Sequence, residues 1–150
     1  GKIRAFGVSN FDVDDIDEAV AIVGPGRIVC NQVLYHLGER GIEHALIPKC
    51  VDQDIAVVAY SPFGSGRFPK RGSPGGDVLA AIADAHGVSR YQVALAFLIQ
   101  QGGVLPIPKA AQVAHTLDNA AAAALELSGD ELAKIAAAFP LGRKRRLAII

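Results

Sequence analysis

Two hydrophobic periods alternate along the chain. Residues 2–8, KIRAFGV, are an apolar stretch of strand length. Beyond it Ile16, Ala19, Val20 and Val23 recur at helical spacing, with Asp12 placed to cap the start, Asp15 three residues on, and Gly24 placed to end it. RIVCNQVLYH, 27–36, predicts a second strand. After a polar GER stretch, Ile42 to Asp52 predicts a helix, in which Pro48 marks either a kink or the first turn. IAVVAYS, 55–61, predicts a third strand, and its apolar character on both faces suits a parallel strand covered on each side. A loop rich in Gly, Pro, Ser and basic residues follows, GSGRFPKRGSPGG, and then a helix, DVLAAIADAHG. Ser89 and Gln92 have the spacing of a capping box for the next helix, which carries Val93, Ala96, Phe97 and Ile99. GVLPIPK, 103–109, predicts the fourth strand and AQVAHTLDNAAAAAL, 111–125, another helix. Ser128 and Glu131 make a further capping box for a last helix ending at Phe139–Pro140.

Strands alternating with helices in this way imply parallel βα units. Four units can build a small open sheet, or half of an eight-stranded barrel, whose usual length is ~250 residues. The chain has 150 residues, a length that suits one domain, and its 51% hydrophobic and 20% charged residues exclude disorder. Lys and Arg number 15 and Asp and Glu 15, so the formal net charge is zero. A binder of nucleic-acid phosphates needs a basic excess, and none is expected here. No apolar run reaches the ~18 residues of a membrane helix, and no signal-peptide pattern opens the chain, so no membrane partner is expected. There is no Met, and Gly1 leads directly into the apolar stretch Ile3–Val8, so a piece of a longer chain is expected. Cys30 and Cys50 lie in apolar contexts and read as reduced core thiols, which points to the cytoplasm. His36, His44, His86 and His115 are scattered without metal-ligand spacing, so no metal site is expected.

Polar residues gather where the predicted strands end. In parallel βα proteins ligands bind at the carboxyl ends of the strands. Strand one ends in Ser9-Asn10, strand two carries Asn31-Gln32, strand three ends in Tyr60-Ser61 and strand four in Lys109. Taken singly, Ser9 and Asn10 read as caps, Tyr60 as a core aromatic and Lys109 as a solvated cation. Taken together they suit a nicotinamide nucleotide. Ser9, Asn10 and Gln32 can hold a carboxamide, which needs donors and acceptors. Tyr60 can stack on the flat ring, Lys109 can meet a phosphate, and the loop after strand three can offer backbone N–H groups to a pyrophosphate. That loop is neither a Rossmann fingerprint, since Pro69 stands at the third glycine position, nor a phosphate-binding loop of the GKS or GKT kind.

GVSNF, NQV, AYSPFGSG and IPKA, in this order and at this spacing, resemble the aldo-keto reductases, and most nearly their bacterial diketogulonate-reductase-like members. The resemblance covers essentially the whole chain. It implies that residues 1–150 are the C-terminal half, strands five to eight, of a (β/α)8 TIM barrel, an α/β fold of parallel strands with flanking helices. It implies an NADPH-dependent oxidoreductase that reduces aldehydes or ketones to alcohols, with this chain as its NADP(H)-binding half. By position, Ser9, Asn10 and Gln32 match the carboxamide binders and Tyr60 the ring that stacks on nicotinamide. Ser61, Phe63 and Ser65 match positions along the pyrophosphate loop. Lys109 matches the residue for the adenosine 2′-phosphate, with Ala110 beside it where some members carry Ser. His115 stands where many members use Arg, and Asp118 and Asn119 match an adenine-side pair. His115 offers less fixed charge than Arg, so NADPH is expected to be preferred less strictly over NADH.

The family's catalytic tetrad of Asp, Tyr, Lys and His has no counterpart in these motifs, so no residue is assigned a catalytic role and the chain alone is expected to be inactive. The alternative is a non-catalytic NADP(H)-binding or assembly fragment. Its partner would be an N-terminal half-barrel or a second copy of the chain, because open sheet edges seek strands. The small carbonyl substrate would belong to the complete enzyme, with Phe63, Phe68 and the C-terminal tail bordering its pocket. The tail GRKRRLAII reads as solvated basic residues, with Leu147, Ile149 and Ile150 packing back on the fold.

Overall fold

A computed structural model describes residues 1–149. Its sheet has four parallel strands in the order β1 (Phe6–Ser9), β2 (Ile28–Leu34), β3 (Ala56–Tyr60) and β4 (Val104–Pro106). The helices are α1 (Val13–Val23), α2 (Leu46–Asp52), α3 (Pro74–His86), α4 (Arg90–Ile99), α5 (Val113–Ala121) and α6 (Gly129–Ala138), with 3₁₀ turns at Gly41–His44 and Ala122–Ala124.

The expectation of strands five to eight, the C-terminal half of a (β/α)8 barrel, is corrected here. The four strands form one open sheet in which β1 and β4 are both unpaired edges, so the fold is a four-stranded parallel sheet with flanking helices. Closure into a barrel, which would remove those edges, is absent among the described residues.

Register explains which side chains meet solvent. Val8, Asn31, Val57 and Val104 lie in one row across the sheet, and Asn31, Val57 and Val104 are buried. Helices α2 and α4 pack against β3 and β4 on this side. The next row, Ser9, Gln32, Val58 and Leu105, faces the other way, and Leu105 is 58% exposed. The third strand was expected to be covered on both faces. It alternates instead between buried and half-buried residues, because the described chain lays no second layer on the open face.

Local signals explain most element ends. The two anticipated capping boxes form, at Ser89/Gln92 and Ser128/Glu131, and Asp12, expected to cap α1, makes a third box with Asp15. The predicted helix from Ile42 splits into a 3₁₀ turn and α2, and Pro48 falls in the first turn of α2, where a missing N–H costs nothing. The edge strands are shorter than predicted. The fourth stops at Pro106, since Pro106 and Pro108 cannot donate to a ladder. The fifth helix ends at Ala121 and tightens into a 3₁₀ turn. Helix α3 starts earlier than predicted. Ser73 caps it and Pro74 opens it, and a Cβ on Gly76 would lie 1.8 Å from the Lys70 carbonyl oxygen. Glycine there permits close packing and does not signal a loop.

A buried polar knot joins the C-terminal end of α6 to the turn after β2. The Arg40 guanidinium donates to Glu43 at 2.7 and 2.6 Å and to the Phe139 carbonyl at 2.6 Å, and it lies 5.0 Å from the centre of the Phe97 ring. The Tyr35 hydroxyl donates to the same Glu43 at 2.7 Å. In the tail, Leu147 packs on the core as expected, but Ile149 is mostly exposed, and Ile150 lies outside the described residues. No helix among the described residues is long and apolar enough to cross a membrane.

Candidate functional site

The candidate residues of the first three strands converge at the C-terminal edge of the sheet. The Ser9 hydroxyl donates to the Gln32 carbonyl at 3.0 Å, and the Asn10 N–H donates to the same oxygen at 2.9 Å. The Tyr60 hydroxyl donates to Asn10 Oδ1 at 3.3 Å. An amide, a hydroxyl and a phenol thus stand together at the ends of neighbouring strands. The Gln32 side-chain amide makes no hydrogen bond within the described residues and shares the open face with Ser9.

Asn31, also on β2, is used differently. It is fully buried, donates to the Phe11 carbonyl at 2.8 Å and accepts from the Phe11 N–H at 3.4 Å. It anchors the segment after β1, and with it the Asn10 backbone. Burial pushes the neighbouring Cys50 thiol up to about 11, with the Asn31 amide acting against this. Both cysteines are free thiols, Cys50 buried and Cys30 half-buried.

Backbone strain concentrates at this edge. Asn10, Ser61 and Ser65 are three of the four non-glycine residues with positive φ among the described residues, at 57°, 51° and 50°. Such conformations cost about 1–3 kcal/mol each and persist where the surroundings enforce them. The Ser65 hydroxyl donates to Ser61 Oγ at 3.0 Å, tying the loop after β3 into a compact turn beside Gly64. Phe63 is held edge-on against Phe68 and Tyr91, at 5.7 and 5.0 Å between ring centres, so the aromatic part of the loop is rigid.

Residues from the fourth strand onward form a second group. Lys109 and His115 are exposed cations or donors, and Ala110 and Asn119 border a cavity of about 350 Å³ with Pro106, Pro108 and Thr116. Asp118 is engaged elsewhere: it accepts from the Ser89 hydroxyl at 2.7 Å, at the start of α4. The structure therefore separates the pair Asp118 and Asn119.

A larger cavity, about 510 Å³, lies beside the first group. Leu34, His36, Phe63, Arg67, Phe68 and Phe139 line it, together with Arg145, Ala148 and Ile149 of the tail. Phe63, Phe68 and the tail do border one cavity. The sequence reading missed His36, Arg67 and Phe139, whose isolated positions in loops carry no periodic signal. Tyr35 is shut away from this space, and burial, followed by Glu43, pushes its pKa far above the usual phenol range.

Amide, hydroxyl and phenol groups thus gather at the C-terminal edge of a four-stranded parallel βα sheet, the edge at which proteins of this class place their ligands. The model of the Aldo/keto reductase family matches residues 1–139. Methylglyoxal reductase YeaE of Escherichia coli is 46% identical over 140 residues, covering 93% of this chain and 49% of that protein. Glyoxal reductase of Bacillus subtilis is 36% identical over 137 residues, covering 90% and 46%. The crystal structure of an aldo-keto reductase from Klebsiella pneumoniae in complex with NADPH superposes with a TM-score of 0.87 at 42% identity, covering 100% of this chain and 53% of that one. The chain belongs to the aldo/keto reductase family. It spans about half the length of the curated relatives it matches.

Proposed function

We propose that this chain contributes the NADP(H)-holding part of an oxidoreductase that reduces aldehydes or ketones to alcohols. The observation that carries this reading is the cluster Ser9, Asn10, Gln32 and Tyr60 at one sheet edge, with the Gln32 amide unengaged. Donors and acceptors in that arrangement fit a nicotinamide carboxamide, and the strained turn at Ser61 and Ser65 fits a pyrophosphate approached by backbone N–H groups. Lys109 serves the 2′-phosphate, with His115, Ala110 and Asn119 nearby. Asp118 contributes only through Ser89. NADPH, when bound, supplies the hydride. The residues of this chain orient the ring: Tyr60 covers one face and the amides hold the carboxamide. Relatives solved with NADPH and with NADP support the cofactor.

A proton donor for the developing alkoxide is not offered by the tyrosines. Tyr35 is buried on Glu43, Tyr60 is bonded to Asn10, and Tyr91 stacks on Phe68 at 4.2 Å. The chain alone therefore holds cofactor without turning over. Fluorescence titration with NADPH tests this: saturable binding with no aldehyde-dependent NADPH oxidation is expected, and absence of binding refutes it. The free thiols support a reducing, cytoplasmic setting.

A second reading, an assembly fragment, is favoured by the uncovered face and the unpaired edges. Under it, the chain pairs with strands of a separate chain or with its own copy.

A further inference from the structure

The cavity of about 510 Å³ has the volume of a small-molecule site. It adjoins the candidate nicotinamide position: Leu34 on its wall pairs in register with Tyr60, and Pro62 and Phe63 follow Tyr60 in the chain. Its body is aromatic and apolar, from Leu34, Leu37, Phe63, Phe68 and Phe139. Its charge is uneven. Arg145 forms an ion pair with Glu39, so those two charges on the wall compensate each other. Arg67 has no ion-pair partner among the described residues and leaves the cavity a net positive charge.

His36 adds a directed donor. Its Nδ1 accepts from the Gly38 N–H at 3.1 Å, which puts the ring proton on Nε2. Gly38 and Gly64 flank the ring so closely that a Cβ on either would lie 3.3 or 3.5 Å from its Cε1. Burial holds the imidazole below its usual pKa, Glu39 opposes this, and the nearby Arg67 charge adds to the lowering. With Nδ1 occupied as an acceptor, Nε2 is the ring's fixed donor.

A cation, an N–H donor and an aromatic box beside a hydride position suit one chemical class. We propose that this cavity receives a carbonyl substrate bearing a carboxylate, held by Arg67 with His36 as second donor, and that Arg67 sets the preference for acid over neutral carbonyl compounds. The proposal rests on the reading of a carbonyl reductase given above and names the substrate class of that site.

The test is calorimetric titration of the chain with benzoylformate and with methyl benzoylformate, which has the same body without the charge, in the presence of NADP⁺. The acid is expected to bind about tenfold tighter than the ester, the usual scale of one charge-assisted contact. Arg67→Gln should erase that preference while leaving ester affinity unchanged, and Arg67→Lys should retain part of it. Arg67 is exposed and lies in a loop, so circular dichroism of the variants should match the parent. Equal affinity for acid and ester, a preference that survives in Arg67→Gln, or binding of neither compound overturns the proposal. NADP⁺ titrated alone separates the two readings. Failure to bind NADP⁺ with the acid preference intact sinks the cofactor role and spares the anion subsite, and the reverse result spares the cofactor role alone.

Discussion

Asn31 and Gln32 are adjacent amides with opposite duties. One is sealed in the core and bonded to the Phe11 backbone, and the other looks out over the open face. The sequence places both within strand two, and the two-residue strand period says that they face opposite ways. It does not say which one faces in, because amide chemistry is the same on either side. The structure makes the difference measurable. Asn31→Ala should cost about 2–3 kcal/mol in urea unfolding, since it strands the Phe11 polar groups. Gln32→Ala should stay within about 0.5 kcal/mol of the parent and weaken NADPH binding instead. Lys109, exposed and unconfined, is a site for charge alone. Lys109→Ala should weaken NADPH at least about tenfold and NADH hardly at all. Equal losses in a parallel titration would remove its assignment to the 2′-phosphate. The residue scale also shows what sequence conceals: His36 and Arg67 are distant in the chain, and only the fold brings them to one cavity.

At the scale of elements, caps were the most legible feature, because each depends on residues three apart. The Ser128/Glu131 box does more than start α6. Glu131 also meets His86 Nε2 at 2.7 Å, joining α3 to α6. The Ser128 N–H first, then its hydroxyl, then His86 hold the Glu131 carboxyl down at about 2. A depressed carboxylate pKa means that folding favours the ionised form. The stabilisation is fully present above the ordinary carboxylate value and is lost as pH falls toward 2. Glu131→Ala should therefore cost about 1 kcal/mol at neutral pH, a difference that fades in thermal melts run near the bottom of that window. Glycine was the least legible signal. SPGG read as loop, yet Gly75 and Gly76 are helical because Phe139 and Lys70 press against them. Composition cannot distinguish a glycine needed for its φ from one needed for its lack of a Cβ.

For the whole molecule, alternation of strand and helix was enough to anticipate parallel βα units, and the structure adds that the strands lie in chain order. The assignment to strands five to eight, the C-terminal half of a barrel, went beyond that pattern and gave way to a four-stranded parallel sheet. Periodicity reports which residues are apolar but not how many strands a sheet finally has. The consequence is an exposed surface. Leu105 and Ile107 on one edge and Phe6 and Val29 near the other are at least a third exposed, beside unpaired backbone groups. Such edges and faces seek cover. Size-exclusion chromatography with light scattering should show the isolated chain as dimers or larger species, with the fraction rising with concentration. A sharp monomer across the range would count against pairing.

The left-handed backbone at Asn10, Ser61 and Ser65 bears on how this protein can change. Stability could be gained there cheaply, since glycine relieves the conformational penalty. The same replacement would remove hydroxyls and an amide from the candidate nucleotide edge. Selection for heat resistance and selection for cofactor grip therefore pull in opposite directions at these positions. A library screened only for thermal survival should accumulate glycine at 61 and 65 first, and should lose nucleotide affinity as it does so.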